Sequence, residues 1–156
     1  MLISEVIVER GILIGEPCHS FEASVRELVG ALVAQGRLSV DLRDLAVDAV
    51  CEREQMSSTA IVEIGVSVPH ARLAGVHGVV GALAASPSAV YYAMADVPIS
   101  IVALVLSAPD RAADHLNVLA SLSMLLHSEN VRTKLRQAVD SATALQVLCT
   151  QRSAFA

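Results

Sequence analysis

A chain of 156 residues, 54% apolar and 17% charged, is long enough to bury one core and is expected to form a single domain, 1–156. Its net charge of −5, with two Tyr, two Phe and no Trp, supplies neither a basic stripe for phosphates nor platforms for bases, so no nucleic acid is expected among its partners. The longest strongly apolar run, 99–108, lies between Pro98 and Pro109 and falls short of the ~20 residues of a membrane span, which argues against direct membrane insertion.

The N-terminus has no basic region or small-residue cleavage site, and Glu5 and Glu9 interrupt any apolar segment, as expected of a cytoplasmic protein. Cys18, Cys51 and Cys149 are widely spaced and form no Cys-x-x-Cys pair, which fits a reducing compartment and supports neither a disulfide framework nor a zinc knuckle.

The first helical stripe is Val25, Leu28, Val29, Leu32 and Val33, predicting an amphipathic helix over 22–35 that ends near Gly36, with Glu22, Arg26 and Glu27 on the wet face. A second stripe, Leu42, Leu45, Ala46, Ala49 and Val50, predicts a helix over 41–53 that begins at Ser39 or Asp41 and delivers Arg53 to its C-terminal end. β-Branched residues dominate 61–68, and the runs around Val79, Val80 and Leu83 and over 99–106 carry the same strand signal. Both faces of these strands are mostly apolar, as in a central sheet covered by helices.

Asp110 is placed to cap a helix carrying Leu116, Leu119, Ala120, Leu122 and Leu126, with Asp114 in its first turn and His115 just beyond. Two shorter helices are expected over 129–137 and 142–148, the second capped by Ser141. No repeat or linker divides the chain. The order of elements argues an α/β layer fold, helices packed on a mixed sheet, without fixing the strand order.

The chemistry concentrates in 53–70. Pro69 lacks a backbone donor and fixes its own φ, so His70 is mounted rigidly at a strand end. A neutral imidazole there is a competent nucleophile toward a phosphoryl group, although an isolated Pro-His pair more often marks a hydrogen-bonded loop histidine. Arg53 suits phosphoryl oxygens but equally suits the negative end of a helix dipole. Ser58 and Thr59 offer phosphate-binding donors or, as often in loops, satisfy local backbone groups. His115 alone reads as a packing or surface residue, and His19, His77 and His127 form no compact ligand spacing.

The pattern Arg53-Glu54-x-Met56-x-Ser58-Thr59, then Gly65-Val66-x-Val68-Pro69-His70, resembles the active-site signature of the EIIA domains of the fructose/mannitol class of the phosphoenolpyruvate phosphotransferase system, nitrogen-regulatory EIIA proteins included. The likeness continues through Ala108-Pro109-Asp110 and His115-Leu116-x-x-Leu119 and covers nearly the whole chain. It implies a mixed central sheet flanked by helices on both faces. It further implies a phosphotransferase component with a phosphohistidine intermediate: His70 accepts phosphate from HPr or its nitrogen-branch counterpart, while His115 and Arg53 hold the transferring group. Positioning and charge carry such a transfer, so no metal and no cofactor are expected.

A stand-alone chain leans toward a nitrogen-regulatory role, signalling to a target protein by its phosphorylation state. The alternatives are relay to a cysteine of an EIIB partner during sugar uptake and a degenerate module that keeps only the fold. No nucleophile elbow, Walker loop or dinucleotide fingerprint supports an unrelated enzyme. The chain departs from the family at Ala60 and Ala71, where glycine is usual. The Arg53-to-His70 interval is one residue longer, with Glu63 in the added stretch, which predicts a bulge or widened turn before Gly65.

Overall fold

The structure, a computed structural model, describes residues 2–15 and 20–152. It begins with a short helix α1 (Ile3–Val6), strand β1 (Ile7–Ile14) and helices α2 (Phe21–Ala34) and α3 (Arg43–Met56). Short strands β2 (Val66–Ser67) and β3 (His70–Arg72) follow, then β4 (Val79–Ala85), the hairpin of β5 (Tyr91–Ala93) and β6 (Val97–Ile99), and β7 (Ile101–Ser107). Helices α4 (Ala112–Leu126), α5 (Glu129–Gln137) and α6 (Ser141–Arg152) complete it.

The main sheet has five strands in the order β1-β4-β7-β2, with β3 also on β7. β4 and β7 are antiparallel, whereas β1 runs parallel to β4, and β2 and β3 parallel to β7, so the sheet is mixed as expected. Alternation along its two central strands divides the interior in two. Val79, Leu83, Ile101, Ala103 and Val105 face a core shared with α1, α4, α5 and α6. Val80, Ala82, Val102, Leu104 and Leu106 face a second core built with α2 and α3. Helices therefore cover both faces. No helix among the described residues is long and apolar enough to cross a membrane.

The expected stripe of α2 is largely buried, whereas those of α3 and α4 are buried only in part. α2 buries Val25, Leu28, Val29 and Leu32, and the Ser20 hydroxyl caps it by accepting from the Ala23 N–H at 3.0 Å. In α3 the buried set is Ala46, Val47 and Val50, while Leu45 is 57% exposed. A 3-10 turn at Val40–Leu42, capped by Ser39, precedes α3. In α4 the buried set is His115, Val118, Leu122, Leu125 and Leu126, so Leu116, 65% exposed, and Ala120 fall off the buried face, and the helix starts at Ala112 with Arg111 in the cap position instead of Asp110. α6 is capped by the Asp140 carboxylate, which accepts from the Thr143 N–H at 2.8 Å, one residue before the expected Ser141.

Two strand assignments also change. β1 and the helix before it were not legible as elements, because Glu9, Arg10 and Gly11 interrupt the apolar pattern where the β1–β4 register shifts. Most of 61–68 is a closed turn instead of a strand: the Ile61 N–H donates to Val66 O at 2.7 Å and the Gly65 N–H to Ile61 O at 3.0 Å. Gly65 adopts φ +66°, and a Cβ there would sit 3.1 Å from Pro98 O, so the expected widened turn depends on this glycine. Ala60 and Ala71 both keep negative φ, which removes any local demand for glycine. Cys18 and His19 lie outside the described residues.

Candidate active site

β2 and β3 are one edge strand with a gap. Val66 and Ser67 pair with Ile101 and Val102, and His70, Ala71 and Arg72 pair with Val105, Leu106 and Ser107, in the same register. The gap falls at Val68-Pro69, where proline has no N–H for the ladder, although its carbonyl still accepts from the Val105 N–H at 3.0 Å.

That gap frees the Val68 carbonyl, and His70 uses it: its Nδ1 lies 2.9 Å from Val68 O. A carbonyl only accepts, so His70 Nδ1 carries the hydrogen, and in the neutral ring Nε2 is left with the lone pair. Val68 is itself held on its other side, because its N–H, in the preceding peptide, donates to Thr59 Oγ1 at 3.2 Å. Thr59 is fixed in turn by Glu54, whose carboxylate accepts from Thr59 Oγ1 at 2.9 Å, from the Thr59 N–H at 2.8 Å and from Ser58 Oγ at 2.9 Å. A continuous chain of bonds thus runs from α3 through Glu54, Thr59 and Val68 to His70.

His115, in the first turn of α4, is 6% exposed, and its ring centroid lies 5.3 Å from that of His70 at an interplanar angle of 61°. Its Nδ1 is 2.5 Å from Ser107 Oγ at the end of β7. Burial, followed by the positive potential of His70, Arg72 and Arg53, pushes its pKa down to about 4, so the ring is neutral at neutral pH.

Arg53 lies in the last turn of α3, and its Nη1 donates to Ser57 O at 3.4 Å while the residue stays exposed. With Arg72 from β3, it lines a cleft of about 750 Å³ that also contains His70 and His115 and is edged by Met56, Pro109, Leu116 and Leu119. Two guanidinium groups, a lone pair on a rigidly held imidazole and a second, neutral imidazole can receive a tetrahedral dianion.

Of the residues singled out from the sequence, Arg53, His70 and His115 meet in this cleft, whereas Ser58 and Thr59 do not line it and spend their hydroxyls on Glu54. Glu63 is exposed and outside the cleft lining. His77 is exposed and remote, and His127 bonds Ser123 O of its own helix at 2.7 Å. Sequence reasoning gave no role to Glu54, whose spacing of four and five residues from Ser58 and Thr59 was the available signal, or to Ser107, a lone hydroxyl closing an apolar strand. A second hollow of about 860 Å³ between β1, α2 and the start of α6 has no histidine or arginine among its described lining residues.

Residues 5–150 match the model of the family described as "Phosphoenolpyruvate-dependent sugar phosphotransferase system, EIIA 2". The chain belongs to that family. EIIA components of this system are phosphotransferases. Among relatives, this EIIA chain is 36% identical over 134 residues, 85% of either chain, to the "PTS system fructose-specific EIIA component" of Haloferax volcanii. Its fold is similar to that of the nitrogen regulatory protein IIA-Ntr from Neisseria meningitidis, with TM-score 0.78 at 23% identity over 94% of this chain and 98% of that one. It is also similar to enzyme IIA mannitol of Escherichia coli, solved in complex with phosphorylated enzyme IIB mannitol, with TM-score 0.71 at 20% identity over 90% and 95% of the two chains.

Proposed function

We propose that this EIIA chain is a cytoplasmic phosphocarrier that takes a phosphoryl group onto Nε2 of His70 from a phosphorylated HPr-type carrier and hands it to a protein partner. The observation that carries the reading is the bond from His70 Nδ1 to Val68 O, which puts the nucleophilic lone pair on Nε2 before any donor arrives. In the transfer, that lone pair forms an N–P bond as the carrier's own N–P bond breaks, and the released electron pair returns to the carrier's imidazole. Arg53 and Arg72 neutralise the phosphoryl oxygens, and His115, neutral and adjacent, supplies a hydrogen bond without adding a further charge.

For the next step, the relationship to a fructose-specific component supports relay to an EIIB cysteine in sugar uptake. The regulatory role has a likeness of shape to a nitrogen regulatory protein behind it, at an identity that bears on the fold alone. Both roles use the same patch, because a doubly charged group on His70 alters whatever docks over the cleft.

The test is phosphorylation of the purified chain with phosphoenolpyruvate, enzyme I and HPr or its nitrogen-branch counterpart, followed by addition of EIIB. Wild type, His70→Ala and His115→Ala are compared by intact mass and acid lability. An acid-labile phosphate absent only from His70→Ala is the expected result. No phosphate from either carrier, or phosphate retained in His70→Ala, would overturn the proposal.

A further inference from the structure

Ser107 is fully buried, at 0% exposed, and among the described residues its hydroxyl has one hydrogen-bond partner, Nδ1 of His115. The residues before it in β7, Ile101 to Leu106, are all apolar and all buried. A hydroxyl in such a strand is unfavourable unless its hydrogen finds an acceptor. We propose that Ser107 is a positioning residue for phosphoryl transfer: its O–H donates to Nδ1 of His115 and keeps that ring's hydrogen on Nε2, which has no hydrogen-bond partner among the described residues.

The reverse polarity fails on two counts. If His115 Nδ1–H donated to Ser107, the serine hydrogen would have no acceptor among the described residues. His115 would then also present a lone pair to an anion already met by the lone pair of His70. With Ser107 as donor, the two rings are complementary: the Val68 carbonyl leaves His70 a bare Nε2 to attack phosphorus, and the Ser107 hydroxyl leaves His115 an Nε2–H to donate to a phosphoryl oxygen. The ring has a single hydrogen to place, since its burial, with the positive charges of Arg72 and Arg53 nearby, keeps it neutral.

This inference rests on the reading of His70 as phosphoryl acceptor, and its test separates the two. Nitrogen-15 spectra of histidine-labelled wild type, Ser107→Ala and Ser107→Thr report the hydrogen positions on His115 without any phosphate. The rate of His70 phosphorylation by the phosphorylated carrier is measured on the same samples. Wild type should show an unprotonated, hydrogen-bonded Nδ1 and a protonated Nε2 on His115. In Ser107→Ala the Nδ1 resonance should move to that of an unbonded ring nitrogen and transfer should slow about fivefold, the weight of one neutral hydrogen bond. The His70 signals should stay in place, and Ser107→Thr, which keeps the hydroxyl on a residue suited to a strand, should restore the rate to within about twofold. A hydrogen on Nδ1 of wild-type His115, or a Ser107→Ala protein with unchanged Nδ1 resonance and rate, overturns the proposal. A wild type that takes no phosphate while showing the expected His115 tautomer overturns the assigned function and the transfer role of Ser107, and leaves only the hydrogen bond.

Discussion

Acidification should weaken this fold through His115. The ring has a pKa of about 4 in the native protein against an ordinary value of 6.5, so between those values the unfolded chain binds a proton that the folded chain refuses. The sign follows: the contribution of this group is complete above pH 6.5 and is lost as the pH falls toward 4. At about 1.4 kcal/mol for each pH unit, the full interval corresponds to roughly 3 kcal/mol, and the open cleft beside the ring, where water screens the arginines, reduces this to roughly 2 kcal/mol. Urea unfolding of wild type and His115→Gln at pH 7.5 and pH 4.5 isolates the effect, because the carboxylates that titrate in both proteins cancel in the difference. Wild type should lose roughly 2 kcal/mol more than the variant between the two conditions. Losses agreeing within about 0.5 kcal/mol would refute the argument that burial and adjacent cations hold the ring neutral.

Replacing Glu54 with Ala removes the acceptor of three hydrogen bonds and should cost about 2 kcal/mol, lowering Tm by about 4–8 °C in a thermal melt; a shift below about one degree would mean that the carboxylate does not hold the 58–59 turn. A Cβ at Gly81 would stand 2.9 Å from the Leu104 carbonyl and 3.0 Å from Val6 Cγ1, and the first of these is backbone of the adjacent strand. Gly81→Ala should therefore destabilise by about 1–3 kcal/mol in urea, and an unchanged midpoint would show that β4 and β7 can part at no cost. The turn between β5 and β6 places Ala95 at φ +76°, so Ala95→Gly should stabilise by about 1 kcal/mol, measured as a higher urea midpoint, with a loss of stability as the contrary result.

Helical periodicity translated well from sequence to structure where a helix packs along its whole length. The α2 stripe is buried as read except for half-buried Val33, and α5 occupies 129–137 as expected. It translated poorly where an alternative set of residues at helical spacing faces the sheet, Val47 being buried in place of Leu45 and Val118 in place of Leu116. β-Branched residues at 61–68 mimic a strand, but a turn closed by Ile61 and Val66 uses them to pack a loop. β1 is hidden for the opposite reason: its register shift tolerates Glu9 and Arg10 in the middle of a strand.

The meeting of Arg53, His70 and His115 was legible only through the motif they share with a family. Their separations in sequence say nothing of the C-terminal end of α3, an edge strand and the first turn of α4 converging beside β7. Glu54 and Ser107 act through hydrogen bonds that exist only once those elements are assembled, and a list of residue types does not reveal them.

The atom that orients His70 belongs to the main chain, and this separates what evolution or an engineer can vary from what must stay constant. No substitution at position 68 deletes the carbonyl that receives the His70 hydrogen, so a change of side chain there leaves the acceptor that sets the tautomer of His70 in the chain. Vulnerability lies instead in the backbone angles of Val68, whose N–H, in the peptide before that carbonyl, is tied to the Thr59 hydroxyl nine residues upstream.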